Sequence, residues 1–290
     1  MEKEQQNFSR KRYPVNKIIP FSSVDGPGNR TSVFLQGCNF DCRYCHNPET
    51  RNICTDCGAC VQGCPAGALS MEEGSVRFDP ARCVGCDTCI KTCTFGASPR
   101  IRYMTADQVM AEVEKQVPYI RGITVSGGEC SLYPDFLQEL FTLAKEKGLG
   151  TLIDSNGSLD FGNYPDLLNV ADGVMLDVKA WTAEDHRKVT GRDNAMVRKN
   201  LDFLASAGKL YEVRTVVVPD LFDVKETVRQ TALAIAPYLD RHDIRYKIIT
   251  YRPMGVRREY SSAMKPPSGD LMQELEELAG ACGVRNVITV

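Results

Sequence analysis

The chain has 290 residues, 43% of them apolar, and a formal net charge of −2. That length and apolar content suffice for one large core, or for one core carrying an insert. The near-neutral balance excludes a general nucleic-acid binder, and no apolar run approaches the length that spans a bilayer.

Residues 1–10 are polar and charged and lack the apolar stretch of a signal peptide. The segment 9–17, with Arg10, Lys11, Arg12 and Lys17, reads as a solvated basic tail. The expected setting is the cytoplasm, with no membrane and no nucleic acid as partner. A short β-rich run over 31–35 leads into a loop carrying Cys38, Cys42 and Cys45. Eleven of the thirteen cysteines lie between Cys38 and Cys93. Tight Cys-x2-Cys repeats, an odd total and no leader favour metal binding over disulfides.

The segment 53–99 is rich in Cys and Gly and contains an internal duplication. Residues 54–69 resemble residues 83–98, each ending in Gly-Ala (Gly67-Ala68 and Gly96-Ala97). The chain is therefore expected to divide into 1–52, an insert at 53–99, and 100–290. Both repeats have the C-x2-C-x2-C-x3-C spacing of bacterial ferredoxins, in which the fourth cysteine serves the other cluster. One four-iron (4Fe-4S) cluster then takes Cys54, Cys57, Cys60 and Cys93. The other takes Cys83, Cys86, Cys89 and Cys64. Pro65 follows the pattern; Thr94 stands where a second proline is expected. Paired zinc sites are the competing assignment. Three thiolates at Cys38, Cys42 and Cys45 would leave one iron of a third cluster without a protein ligand, open to a small molecule.

Beyond the insert, helices are predicted over 105–117, 134–147, 196–207, 224–238 and 271–281. Thr105 and Gln108 form a capping-box pattern at the first of these. Strands are predicted over 123–125, 151–153, 173–176, 211–218, 246–249 and 287–290. About six β–α units imply an α/β fold with a parallel sheet, a partial (β/α)6 TIM-like barrel. Its active site belongs at the carboxyl ends of the strands. Three polar motifs fall there: Ser126-Gly127-Gly128-Glu129, Asp154-Ser155-Asn156-Gly157, and Asp177-Val178-Lys179. The glycines would let the backbone approach a ligand, and Glu129 would accept from a cationic amine. Taken singly, each motif also reads as a strand-end turn or a surface ion pair. Cys130 and Cys282 read as ordinary buried thiols, and His186 and His242 have no evident role.

The loop spacing C-x3-C-x2-C with Tyr44 before its last cysteine resembles the radical S-adenosylmethionine (SAM) superfamily. Ser23 to Arg30, Phe34 to Cys38, Tyr44 to Pro48, Asp177-x-Lys179 and Val213 to Pro219 look like the glycyl radical enzyme activating enzymes. The resemblance runs from Ile18 onward, and the insert matches the subgroup with a ferredoxin-like domain. Within that subgroup it looks closest to activases whose partner has no assigned substrate. The resemblance implies an oxidoreductase that cleaves SAM with one electron and removes a hydrogen from a glycine of a partner glycyl radical enzyme. It implies three four-iron clusters, SAM, a monovalent cation held near Asp177, Asp154 and Ser155, and flavodoxin or ferredoxin as electron donor. By the same resemblance SAM would meet Tyr44, Cys45, His46, Gly127, Gly128, Glu129, Asp154, Ser155, Asn156, Asp177, Val178 and Lys179. Asp177 and Lys179 would also position the glycine loop. Arg252 stands where pyruvate formate-lyase-type activases carry a histidine near SAM, and is counted as a cofactor contact in its place. The alternatives are another radical SAM enzyme modifying a protein or small molecule, and a non-enzymatic electron-transfer protein.

Overall fold

The computed structural model describes residues 11–290. The segment 1–10, expected to lack a signal peptide, and with it the Ser9–Arg10 end of the expected basic tail, lies outside the described residues. The strands are β1 (Tyr13–Ser22), β2 (Arg30–Leu35), β3 (Leu69–Glu72), β4 (Ser75–Phe78), β5 (Arg102–Met104), β6 (Gly122–Gly127), β7 (Gly150–Ser155), β8 (Gly173–Asp177), β9 (Leu210–Val217), β10 (Arg245–Thr250) and β11 (Val287–Thr289). The helices are α1 (Thr88–Thr92), α2 (Ala106–Glu114), α3 (Pro134–Glu146), α4 (Pro165–Val170), α5 (Ala183–Thr190), α6 (Ala195–Ser206), α7 (Val224–Ile235), α8 (Arg258–Ser261) and α9 (Gly269–Ala281).

Nine strands form one sheet in the order β11-β10-β9-β8-β7-β6-β2-β1-β5. Every neighbouring pair from β2 to β11 is parallel. β1 runs antiparallel to both β2 and β5. β5 and β11 stand at opposite edges of this order, so the barrel stays partial. Helices return between the parallel strands, as right-handed crossovers require. α2 opens with both halves of the capping box in place: Gln108 N donates to Thr105, and Thr105 N donates to Gln108. α3 buries Phe136, Leu137, Leu140, Phe141 and Ala144, the face of a 3.6-residue period. Each large side chain so buried contributes about 1.5–3 kcal/mol.

The expected basic tail is, from Tyr13 on, the long strand β1. Tyr13 and Val15 are fully buried there, and the Lys17 ammonium lies 4.9 Å from the Phe34 ring centroid. Its charges conceal a strand because long cationic side chains cover apolar surface while keeping their heads in water.

The turn between β1 and β2 closes the barrel at the end opposite the cysteine loop. Arg30 is buried and donates to Thr124 Oγ1 at 2.8 Å and to the carbonyls of Ile123 (2.6 Å) and Gly150 (3.0 Å). Asp25 accepts from Ser22 (2.6 Å) and Ser32 (2.7 Å). Burial pulls the Arg30 guanidinium down to about 10. Motif residues that marked the family in sequence thus serve as a polar floor.

Between β2 and β5 the duplication is visible in the backbone. Asp56 and Gly85 occupy equivalent positive-φ positions (56° and 69°), as do Gly58 and Asp87 (75° and 58°). Each repeat meets the same left-handed demand once with glycine and once with aspartate, the residues that tolerate it. The β3–β4 hairpin forms its own small sheet within this segment.

Candidate active site

β2 delivers the cysteine loop to the carboxyl end of the parallel strands, where main-chain bonds pin it. Gly37 N donates to Thr50 O (2.7 Å), Cys38 N to Arg51 O (2.8 Å), Asp41 N to Thr190 O (2.9 Å) and Arg43 N to Val189 O (3.0 Å). The last two tie the loop to the end of α5. His186, in that helix, is fully buried under the loop, edge-on to Phe40 at 5.3 Å. Its Nδ1–H donates to Arg192 O at 2.8 Å. Burial pushes the His186 pKa down.

Cys38, Cys42 and Cys45 line one open cavity of about 260 Å³. Burial pushes the Cys38 and Cys42 thiols up to about 12, so their thiolates need strong positive charge beside them. An iron cluster supplies that charge, and the donor set fits one. Among the described residues no three His, Cys, Asp or Glu side chains converge as a single-ion site would.

The same wall carries Gly127, Gly128 and Glu129. The glycines make room for protein backbone. A Cβ on Gly127 would lie 2.2 Å from Leu35 O, and one on Gly128 would lie 2.2 Å from Gly37 O. Gly128 N donates to Leu35 O (2.9 Å) and Glu129 N to Gly37 O (2.7 Å), so this segment is stitched to the root of the cysteine loop. Glu129 is buried, and its carboxylate accepts from Ser131 N (3.0 Å), Ser155 Oγ (2.8 Å) and Asn156 N (2.6 Å). Burial pushes its pKa up against these three bonds. The carboxylate that sequence reasoning aimed at an amine is occupied in holding two strand-end loops together. Asn156 completes the link by donating to Asn39 Oδ1 at 3.0 Å.

Asp154, Asp177 and Lys179 also face the cavity. Asp154 accepts from Ser126 Oγ (2.9 Å) and pairs with Arg214 (3.0 Å). Lys179 pairs with Asp177 at 2.6 Å, with side chains only 14% and 23% exposed, so this is a lining pair and not a surface one. Burial opposes the Lys179 charge, but Asp177, Tyr44 and Cys42 outweigh it and hold the ammonium well above its ordinary range. The Lys179 Nζ stands 5.8 Å from the centroid of the buried Tyr44 ring.

Two expected contacts fall elsewhere. The Val178 side chain lies in the core, 2% exposed, because alternation in an extended chain turns it away from its neighbours. Arg252 is exposed and its side chain is not part of the cavity wall. Its carbonyl instead accepts from His46 Nε2 at 2.8 Å.

Two arginines were not anticipated in the cavity. Arg214, noted only as part of a β9 motif, is held by Glu212 (2.5 Å) and Asp154. Arg257 donates to Asp41 (2.5 Å) and to Cys42 O (3.2 Å). Charged residues in an inward strand position were the available signal for Arg214. Nothing local marks Arg257.

In the insert, Cys64, Cys83, Cys86 and Cys89 line a second, small cavity together with Arg100. Cys54 lies in electrostatic range of Cys57 and Cys93, and Cys60 in range of Cys54, Cys89 and Cys93.

Residues 32–231 match the radical SAM superfamily. The chain is 30% identical to the indoleacetate decarboxylase activating enzyme of Tractidigestivibacter scatoligenes, over 93% of this chain and 95% of that protein. It is 32% identical to the pyruvate formate-lyase-activating enzyme of Streptococcus mutans, over 91% of this chain and 89% of that one. Among solved structures, Streptococcus suis SuiB bound to the precursor peptide SuiA is similar in fold, with a TM-score of 0.57 at 12% identity, covering 88% of this chain and 47% of that chain. Among the described residues no helix is long and apolar enough to cross a membrane.

Proposed function

The chain belongs to the radical SAM superfamily and, within it, to the glycyl radical enzyme activating enzymes; from that premise we propose how its own residues serve the reaction. The observation that carries the reading is the single cavity that joins three thiols to the polar ends of β6, β7 and β8. When bound, the reduced cluster and SAM supply the one-electron cleavage and the carbon radical that takes hydrogen from a partner's glycine.

Cys38, Cys42 and Cys45 hold the catalytic cluster. The Gly127–Gly128 main chain borders the place where the methionine amino group is received. Glu129 positions that segment from behind. Lys179, kept protonated, offers its charge to an anionic group of SAM, and Asp177 orients it. Asp154, Ser155 and Asn156 border the ribose side. Tyr44, Cys45 and His46 form the wall next to the cluster. Asp177 and Lys179 also stand at the mouth that the glycine loop must enter. Arg214 and Lys179 already neutralise Asp154 and Asp177, so a monovalent cation binds there only if one of the two releases its carboxylate.

Residues 53–99 form the ferredoxin-like insert between 1–52 and 100–290. It carries two closed clusters, on Cys54, Cys57, Cys60 and Cys93 and on Cys64, Cys83, Cys86 and Cys89. They relay electrons from flavodoxin or ferredoxin in the cytoplasm, where thiols stay reduced.

The test uses anaerobically reconstituted protein with dithionite and SAM. About 12 irons per chain are expected for three clusters, with 5′-deoxyadenosine formed by wild type and abolished in Cys42→Ala. An electron paramagnetic resonance (EPR) signal should appear on the glycine of a partner protein. Iron loading without SAM cleavage would refute the enzymatic reading.

A further inference from the structure

The two halves of the insert form a built-in comparison. Repeat alignment pairs Cys54 with Cys83, Gly58 with Asp87, and Met71 with Arg100. The structure keeps these paired positions near each other while changing their chemistry. In the first half, a Cβ on Gly58 would lie 3.2 Å from Met71 Sδ. In the second, Asp87 and Arg100 form an ion pair at 2.7 Å. The Arg100 side chain is only 25% exposed and lines the small cavity of Cys64, Cys83, Cys86 and Cys89. Asp87, 55% exposed, holds the guanidinium from the solvent side. The first half has a neutral thioether at the aligned position, Met71, 45% exposed. Nearby, Asp56 adds a carboxylate within electrostatic range of Cys54. Arg12, Arg77 and Arg102 line an open groove together with Cys54 and Asp56, where water screens their charges.

Cluster potentials follow local net charge, hydrogen bonds to sulfur and exposure. A cation favours the reduced, more negative state. Building on the two-cluster reading above, we propose that the Asp87–Arg100 pair holds the cluster on Cys64, Cys83, Cys86 and Cys89 at a higher reduction potential than its twin. An arriving electron then rests on that cluster. The stronger reductant is the twin on Cys54, Cys57, Cys60 and Cys93, whose flanks are bonded to the root of the catalytic loop. Asn52 donates to Phe95 O (2.5 Å), and Gln36 donates to Asn52 O (2.7 Å), two residues before Cys38.

The test is an EPR-monitored redox titration of the full-length anaerobic protein in a Cys42→Ala background, which leaves only the insert clusters. About eight irons per chain are required at the start; fewer would sink the two-cluster reading rather than this one. Two separate reduction steps are expected. Arg100→Met with Asp87→Gly makes the halves alike and should draw the upper step toward the lower by about tenfold in reduced-to-oxidised ratio, about 59 mV for one electron. Arg100→Lys should keep the upper step. Met71→Arg with Gly58→Asp should raise the lower one. Unmoved steps, equal movement of both, or loss of four irons from the Arg100 variant would overturn the proposal, the last by making Arg100 a structural strut.

Discussion

Replacing Glu129 by Gln separates the two roles its position allows. Its carboxylate takes three protein donors, two on Oε1 and one on Oε2. A glutamine places its amide oxygen at one of these sites and an NH2 at the other. With oxygen kept toward Ser131 and Ser155, the Asn156 N–H loses a charge-assisted bond worth about 1.5–3 kcal/mol. That N–H then faces another donor inside the protein. The cost is offset in part because removing the charge relieves its burial, the same effect that raises the Glu129 pKa. A net local destabilisation of about 1–2 kcal/mol corresponds to roughly 5- to 30-fold faster exchange. Anaerobic hydrogen–deuterium exchange of a peptide spanning 150–160 measures it directly. A carboxylate acting mainly as a SAM ligand would give the opposite pattern: weakened SAM binding and unchanged exchange at Asn156. That outcome would refute the argument that Glu129 is a strut.

Gly128→Ala sets a Cβ 2.2 Å from Gly37 O and 2.8 Å from Thr50 O, both backbone atoms. The cysteine loop must shift, and the reconstituted variant should hold about four irons fewer than wild type; full loading would contradict the packing described here. His186 gives a pH signature. Its pKa is depressed when folded, so the unfolded chain binds more protons below about pH 6.5. Its stabilisation is complete above that value and is lost as pH falls through the folded pKa. Melting temperature should decline below about pH 6.5 in wild type, and His186→Phe should flatten that decline; parallel curves would exclude the residue. Arg257→Gln removes the cation bridging Asp41 and the Cys42 carbonyl. Protease cleavage within 252–262 should quicken at unchanged iron content; cleavage at the wild-type rate would show that this bridge does not fasten the segment.

Spacing along the chain determined a great deal here. Thiols a few residues apart must share a loop, so the grouping of the cysteines was legible, as were the duplication and the alternation of strands with helices. So was the clustering of Glu129, Asp154 and Lys179, because parallel strands deliver their carboxyl ends to one place. Partner choice within that place was not legible. Glu129 turned inward to Ser131, Ser155 and Asn156, and the neighbouring glycines leave room for the backbone of Leu35 and Gly37. Arg257 reaches Asp41 across 216 residues, and Arg214 reaches Asp154 across 60. β1 was hidden by neighbouring charges, although the Lys11 and Lys17 ammonium groups lie over the Tyr13 and Phe34 rings. Sequence fixes chemistry wherever groups act within one loop or one strand period. Folding decides which distant carboxylate each cation neutralises, because a buried charge must find a partner and the partner's distance along the chain does not matter.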